Sequence, residues 1–358
     1  MEVVDNFNLQ QTLQGSISSF KHIARLLNGK NNKEIVALKQ KDAYKNLLNK
    51  IRESIDTLNE QDIVDILLSM RRIIFNVGST GFKNEETEAI KKRANTLLAE
   101  GKFSPRQLVG LLSGYNGVGF WADSVAFELL KAIKQSPSSL NLNNYLQILS
   151  AGHSNVGYNS INENLLFDEV CKQLFDILPQ LPYSKKADVF LSVARLEMQY
   201  KLPKLALHPI INKLRLDLKE NIDKLNEQDV IKIFQAYRHL PRGYYNDLIE
   251  ELREMIVITL NHNPTNLNSE FLFNFISSQS NIVLRRPSKQ IMEAINYVFT
   301  FIAGRMETDI FLKKHIAELA EMAEEFSIKS PAFEEAIKKS LKNNPEFFDR
   351  NIVALEFL

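Results

Sequence analysis

Cysteine is almost absent from this chain: Cys171 is the one residue of its kind in 358. A lone thiol excludes an intramolecular disulfide framework and suits a reducing compartment. Its setting, LFDEVCKQLFDIL, reads as a buried helix position. No apolar run is long enough to span a membrane. An excess of one charge is missing too. Lys and Arg number 44 and Asp and Glu 43, a formal net charge of +1, which gives no global attraction for a polyanion.

The usual sources of chemistry are equally scarce. The six histidines (His22, His153, His208, His239, His262 and His315) are scattered, and none makes an HExxH or other metal-ligand spacing. None of the 13 glycines stands in a GxxxxGK[ST] or GxGxxG context, so a phosphate-cradling loop is excluded. Ser136, Ser138 and Ser139 fall in a linker, and the paired acids Glu324 with Glu325 and Glu334 with Glu335 read as solvated helix faces. The expectation is a protein without catalysis, metal, cofactor or small-molecule ligand. The start, MEVVDNFN, is acidic rather than Arg-rich, which counts against simple matrix import from this start.

What the chain does have is a degenerate repeat in which a turn-rich lead-in precedes a short apolar helix: LNEQDIVDILLSM, FSPRQLVGLLSGY, LNLNNYLQILSAG, LNEQDVIKIFQAY and LNSEFLFNFISSQ. The anchors are Leu58, Phe103, Leu140, a looser Tyr183, Leu225 and Leu267, with steps of 45, 37, 43, 42 and 42 residues. Such a period fits two helices and their connections. In the better copies, apolar positions five and eight or nine residues after the anchor form one helical stripe. A small residue stands eleven places after each anchor (Ser69, Gly114, Ala151, Ala194, Ala236 and Ser278), where close packing of neighbouring first helices requires it. Asn59 to Gln61, Ser104 with Pro105, Asn226 to Gln228 and Asn268 to Glu270 supply helix starts.

A second helix is predicted after each first one, over roughly 84–99, 122–134, 163–178, 204–219, 243–260 and 287–303. The predicted fold is all-α: an αα-repeat solenoid, a superhelix with atypical capping helices at both ends. Residues 1–55 form the N-terminal cap, with helices around Leu9 to Leu27 and Lys33 to Ile55. Residues 56–305 form an array of about six units, each needing neighbours to bury its apolar faces. Residues 306–358 form the second cap, with helices around Asp309 to Phe326 and Pro331 to Leu341 and an apolar tail that includes Phe357 and Leu358.

Candidate contact residues lie at the ends of the first helices, twelve or thirteen positions past the anchor: Arg71 with neighbouring Arg72, Tyr115, Asn116, His153, Arg195, Tyr237, Arg238 and Gln279. Aromatic, amide and guanidinium groups of this kind stack on or hydrogen-bond single-stranded RNA bases. The competing reading makes Tyr115 and Tyr237 part of the inter-repeat core and the arginines ordinary helix C-terminal charges. On that reading the hot spots are Trp121, Phe120, Tyr200, Tyr244, Tyr245 and the apolar tail, facing protein partners.

The αα period, with an apolar first helix ending in a small residue and then a polar or aromatic one, resembles the heptatricopeptide and octotricopeptide-like arrays of organellar RNA-binding proteins. These include the helical part of FASTK-like and RAP-containing proteins, and the resemblance covers about Leu58 to Ala303. It implies a mitochondrial protein of RNA processing, RNA stability or ribosome assembly, with Arg71, Asn116, His153, Arg195, Arg238 and Gln279 lining an RNA groove. Repeat lengths vary, and the tail lacks a recognisable RAP domain. The partners implied are single-stranded RNA, protein subunits of a ribonucleoprotein or other large complex, or both. The alternative function is a protein-interaction scaffold or structural subunit of such a complex without direct RNA recognition.

Overall fold

The polar lead-ins start helices by reciprocal capping. In the computed structural model, which describes residues 12–26, 41–77, 82–154, 160–199, 207–240, 246–262, 267–282 and 289–343, the two copies of LNEQD behave alike. The Asn59 side chain accepts from Asp62 N at 3.0 Å while Asp62 accepts from Asn59 N at 3.2 Å; Asn226 and Asp229 repeat the exchange at 3.0 and 3.3 Å. Asn141 pairs with Asn144 in the same way, and Ser104 with Gln107. Each exchange satisfies two backbone donors that a helix start leaves orphaned.

Among the described residues the chain is almost entirely α-helical, with no strand. The helices are α1 (Leu13–Leu26), α2 (Asp42–Glu53), α3 (Glu60–Val77), α4 (Asn84–Ala99), α5 (Pro105–Val118), α6 (Asp123–Gln135), α7 (Leu142–Ser154), α8 (Ile161–Ile177) and α9 (Tyr183–Gln199). There follow α10 (Leu207–Lys219), α11 (Glu227–Tyr237), α12 (Asn246–His262), α13 (Ser269–Ile282), α14 (Lys289–Arg305), α15 (Ile310–Lys314), α16 (Ile316–Glu325) and α17 (Pro331–Asn343). The segment expected as one helix from Asp309 to Phe326 is two, broken at His315. One anchor also moves. Leu58, Leu140 and Leu225 each sit in extended backbone directly after a single 3₁₀ turn, and in the fourth copy Leu181 holds that place, while Tyr183 already begins α9.

Two compact units divide the chain, the first running to Leu174 and taking in 199–206, the second holding the remainder. In the first unit α1, α3, α5 and α7 pack in succession, each on the next, with α2 against α1, α4 against α3 and α6 against α5. The small side chains make this possible. A Cβ added to Gly110 or Gly114 of α5 would lie 2.6 Å from Val64 Cγ1 or 2.7 Å from Leu67 Cβ of α3, closer than any real side chain sits. Gly117 meets the stem of Arg71 in the same way. Gly119, at φ 81°, takes the left-handed conformation that ends α5, and Phe120 N closes the turn on Tyr115 O at 2.8 Å.

In the second unit α11 packs on α13, and α13 on α15 and α16, while α10, α12, α14 and α17 form a second succession. α9 joins the first of these rows through Phe190, edge-on to Tyr237 at 5.8 Å between ring centres, and through Asp188, bound by Lys232 at 2.8 Å. Ser69, Ala151, Ala194, Ala236 and Ser278 are all buried. The interior is mainly aliphatic and aromatic, with Cys171 in it, but it also encloses polar and charged side chains, among them Asn116, Glu163, Asp229 and Arg253.

Candidate functional site

The residues at the ends of the first helices divide by burial. Tyr115, Asn116, Tyr237 and Gln279 are enclosed. Tyr115 donates its hydroxyl to Asn95 Oδ1 at 2.9 Å and packs edge-on against Phe120. Asn116 Nδ2 donates to Ala151 O at 3.3 Å and to Glu163 Oε1 at 3.0 Å, joining α5, α7 and α8 at one point. Glu163 also accepts from Ser160 N at 2.9 Å, so one carboxylate caps α8 and binds α5. Gln279 Nε2 donates back to Phe275 O at 3.0 Å and to Ser278 Oγ at 3.1 Å. None of these four side chains presents a surface on which a base could stack.

The arginines of the set are held in different ways. Arg71 is half-buried along Gly117, and burial, with neighbouring Arg72, lowers its pKa; Arg72 is exposed. Arg195 is half-buried, and burial lowers its pKa as well. Arg238 is engaged. Its guanidinium binds Glu318 at 3.2 Å and lies 5.6 Å from the centre of the Phe273 ring. His315, tilted against both Phe273 and Phe311, completes the cluster through Nδ1 at 3.1 Å from Glu318. The His315 hydrogen bond and the nearby positive charges outweigh burial and hold the Glu318 carboxyl below its ordinary value. The His153 side chain, Tyr200, Tyr244, Tyr245, Phe357 and Leu358 lie outside the described residues.

Exposed apolar side chains gather where α6 and α8 begin. Asn162 donates from N at 3.4 Å and from Nδ2 at 2.8 Å to the two Asp123 oxygens, which fixes the first turns of the two helices side by side. Trp121 precedes Asp123 by two residues and is 65% exposed; Ile161, next to Asn162, is 72% exposed. One turn further along each helix stand Phe127 at 51% and Leu165 at 50%. Phe120, expected beside Trp121 as an exposed contact, is instead buried, with Lys91 Nζ 5.0 Å from its ring centre. Further along the same helices lie Lys131 and Lys172, each exposed and loosely paired within its own helix to Glu128 at 3.7 Å and Glu169 at 4.0 Å.

A third feature was not anticipated. Arg52 of α2 binds Glu86, in the first turn of α4, at 2.7 Å, and its Nη1 donates to Asn49 at 2.5 Å. Arg215 of α10 repeats this, binding Asp247 in the first turn of α12 and donating Nη2 to Asn212 at 2.7 Å. Lys219 adds bonds to Asp247 at 3.3 Å and Glu251 at 2.9 Å. Burial opposes the charged form of Asp247, but Arg215 and Lys219 outweigh it and hold the carboxyl below its ordinary value. The signal was present in the second helices as LLNKIR and IINKLR, an Asn three residues before an Arg that follows a core aliphatic residue.

Among the described residues no cluster of His, Cys, Asp and Glu could hold a metal ion, and no helix is long and apolar enough to cross a membrane. No protein-family model matches the chain, and no curated protein matches it either.

Proposed function

We propose that this chain is a non-enzymatic protein-interaction scaffold, a structural subunit built as an αα-repeat solenoid, that seats an apolar helical segment of a partner protein across the starts of α6 and α8. The observation that carries the reading is the exposure of Trp121, Phe127, Ile161 and Leu165 around the bond between Asp123 and Asn162. Single exposed apolar residues are ordinary, but four large ones gathered at one joint mark a contact surface. One of the four is a tryptophan, a residue type enriched among those that dominate binding energy. Lys131 and Lys172 beyond the apolar residues favour a partner segment with acids at its flank. Succession of first helices, each on the next, supports the repeat reading.

The test is a double variant, Trp121→Ala with Ile161→Ser. Both positions are exposed, so folding stability should change by no more than about 0.5 kcal/mol. Native assemblies isolated from the source cells are then sized by light scattering after gel filtration. The expected result is a defined stoichiometric complex for the wild type and a monomer of unchanged helicity for the variant. An identical complex from both would sink the proposal. So would saturable RNA binding lost on alanine substitution of Arg71, Arg72 and Arg195, the members of the helix-end set that keep exposed surface and are not tied into the Glu318 cluster.

A further inference from the structure

The two arginine clasps have a third copy that lacks its acid. LIEELR at 248–253 aligns with LLNKIR at 47–52 and IINKLR at 210–215, so Arg253 stands on α12 where Arg215 stands on α10 and Arg52 on α2. Those two guanidinium groups meet a carboxylate in the first turn of the helix two further along the chain. For Arg253 that helix is α14, which packs on α12 and has no acidic residue in its first turn. Asp247 and Glu251 of α12 engage α10, and Arg253 lies about 240° and 200° around the helix from them. It therefore stands on the flank turned away from α10, as the clasp requires.

Arg253 is nevertheless buried, at 7% exposure, and its Nε and Nη2 have no hydrogen-bond partner. Burial lowers its pKa, and Glu250, one turn back and exposed, offsets this only in part. The following sequence offers no substitute, since residues 271–292 contain neither Asp nor Glu. A buried guanidinium without an anion is strongly disfavoured, and removal of one partner of such a pair is among the costlier changes in a protein interior. A helix start offers unused N–H groups and the positive end of the dipole to the same anion.

We infer that Arg253 and the first turn of α14 form an oxyanion-binding site, which takes from outside the chain the carboxylate or phosphate group that Glu86 and Asp247 supply at the two sister positions. Both groups match the fork of a guanidinium, which binds them through two parallel hydrogen bonds.

The test melts the full chain in increasing sodium phosphate or sodium acetate, with ionic strength held constant by sodium chloride. In at least one anion the wild-type midpoint should rise saturably, by about 2–4 °C, and Arg253→Met, which keeps the apolar stem, should not respond. A response to phosphate alone assigns a phosphate-bearing ligand; a response to acetate assigns a carboxylate. Gln290→Glu places an acid at the second position of α14, where Asp247 stands in α12. It should raise the midpoint without added anion and flatten the response to it. A wild type no more responsive than the chloride control, or an equal response in Arg253→Met, overturns the inference.

Discussion

Asn116 shows how a side chain that reads as a ligand contact can be a clip. Its amide ties α5 to α7 and α8, and the acceptor on α8 is a buried carboxylate. Asn116→Ala leaves Glu163 Oε1 without that donor and should cost about 1–3 kcal/mol, measured by urea unfolding; an exposed groove residue would cost almost nothing. Gly114→Val forces two methyl groups into the backbone and stem of Leu67 and should cost about 1–3 kcal/mol by overpacking. Cys171 is a simpler case. Burial, with the neighbouring charge of Asp168, pushes its thiol pKa up, so iodoacetamide should leave it unmodified in the native protein and label it in urea. Position along the repeat identified Tyr115, Asn116, Tyr237 and Gln279 as special but not their direction. A polar residue at a helix end points outward or inward according to which helix closes over it, and that partner lies 20 to 47 residues away for Tyr115 and Asn116.

Helices were the most legible level, because periodicity and capping are local. Residues 84–99 were expected as a helix and α4 is Asn84–Ala99; the other second helices differ by no more than two residues at the ends that are described, while 204–206, 243–245 and 287–288 lie outside the described residues. LNEQ stands identically at Leu58 and Leu225, and the fifth residue, Asp62 or Asp229, closes the capping exchange. The clasp between second helices was not legible, since connections of unequal length separate Arg52 from Glu86 and Arg215 from Asp247. It has a consequence for acid stability. The folded-state pKa of Asp247 is depressed, so its contribution is complete above the unfolded value of about 3.9 and is lost as pH falls through the lower folded value. Arg215→Met weakens that depression and leaves Lys219 as the cation bound to Asp247. The variant should be less stable at neutral pH but lose less stability than the wild type between about pH 5 and pH 2, read from urea midpoints at each pH.

At the scale of the whole molecule, composition is silent about where large apolar side chains reach the surface. Trp121 illustrates this. Nothing local distinguishes an exposed tryptophan from a core one, and the Asp123 to Asn162 bond near it joins positions 39 residues apart. The division into two compact units falls inside α8, where no break in composition marks it. Near-equality of positive and negative side chains leaves little long-range field. Fluorescence anisotropy with a pool of single-stranded RNA at about 50 mM salt should therefore show no saturable binding by the purified protein; tight binding that weakens steeply with salt would show that a local basic surface outweighs the neutral total.

The three glycines that α5 turns toward α3 also bear on the order of events in folding. Each costs about 1 kcal/mol of helix propensity relative to alanine, and helices of this length are marginal in isolation even when built of good formers. α5 is therefore a poor nucleus. It gains its helical form by docking on a neighbour that is already structured, and its amide protons should exchange with solvent at the rate at which its contact with α3 opens rather than by fraying within α5 itself.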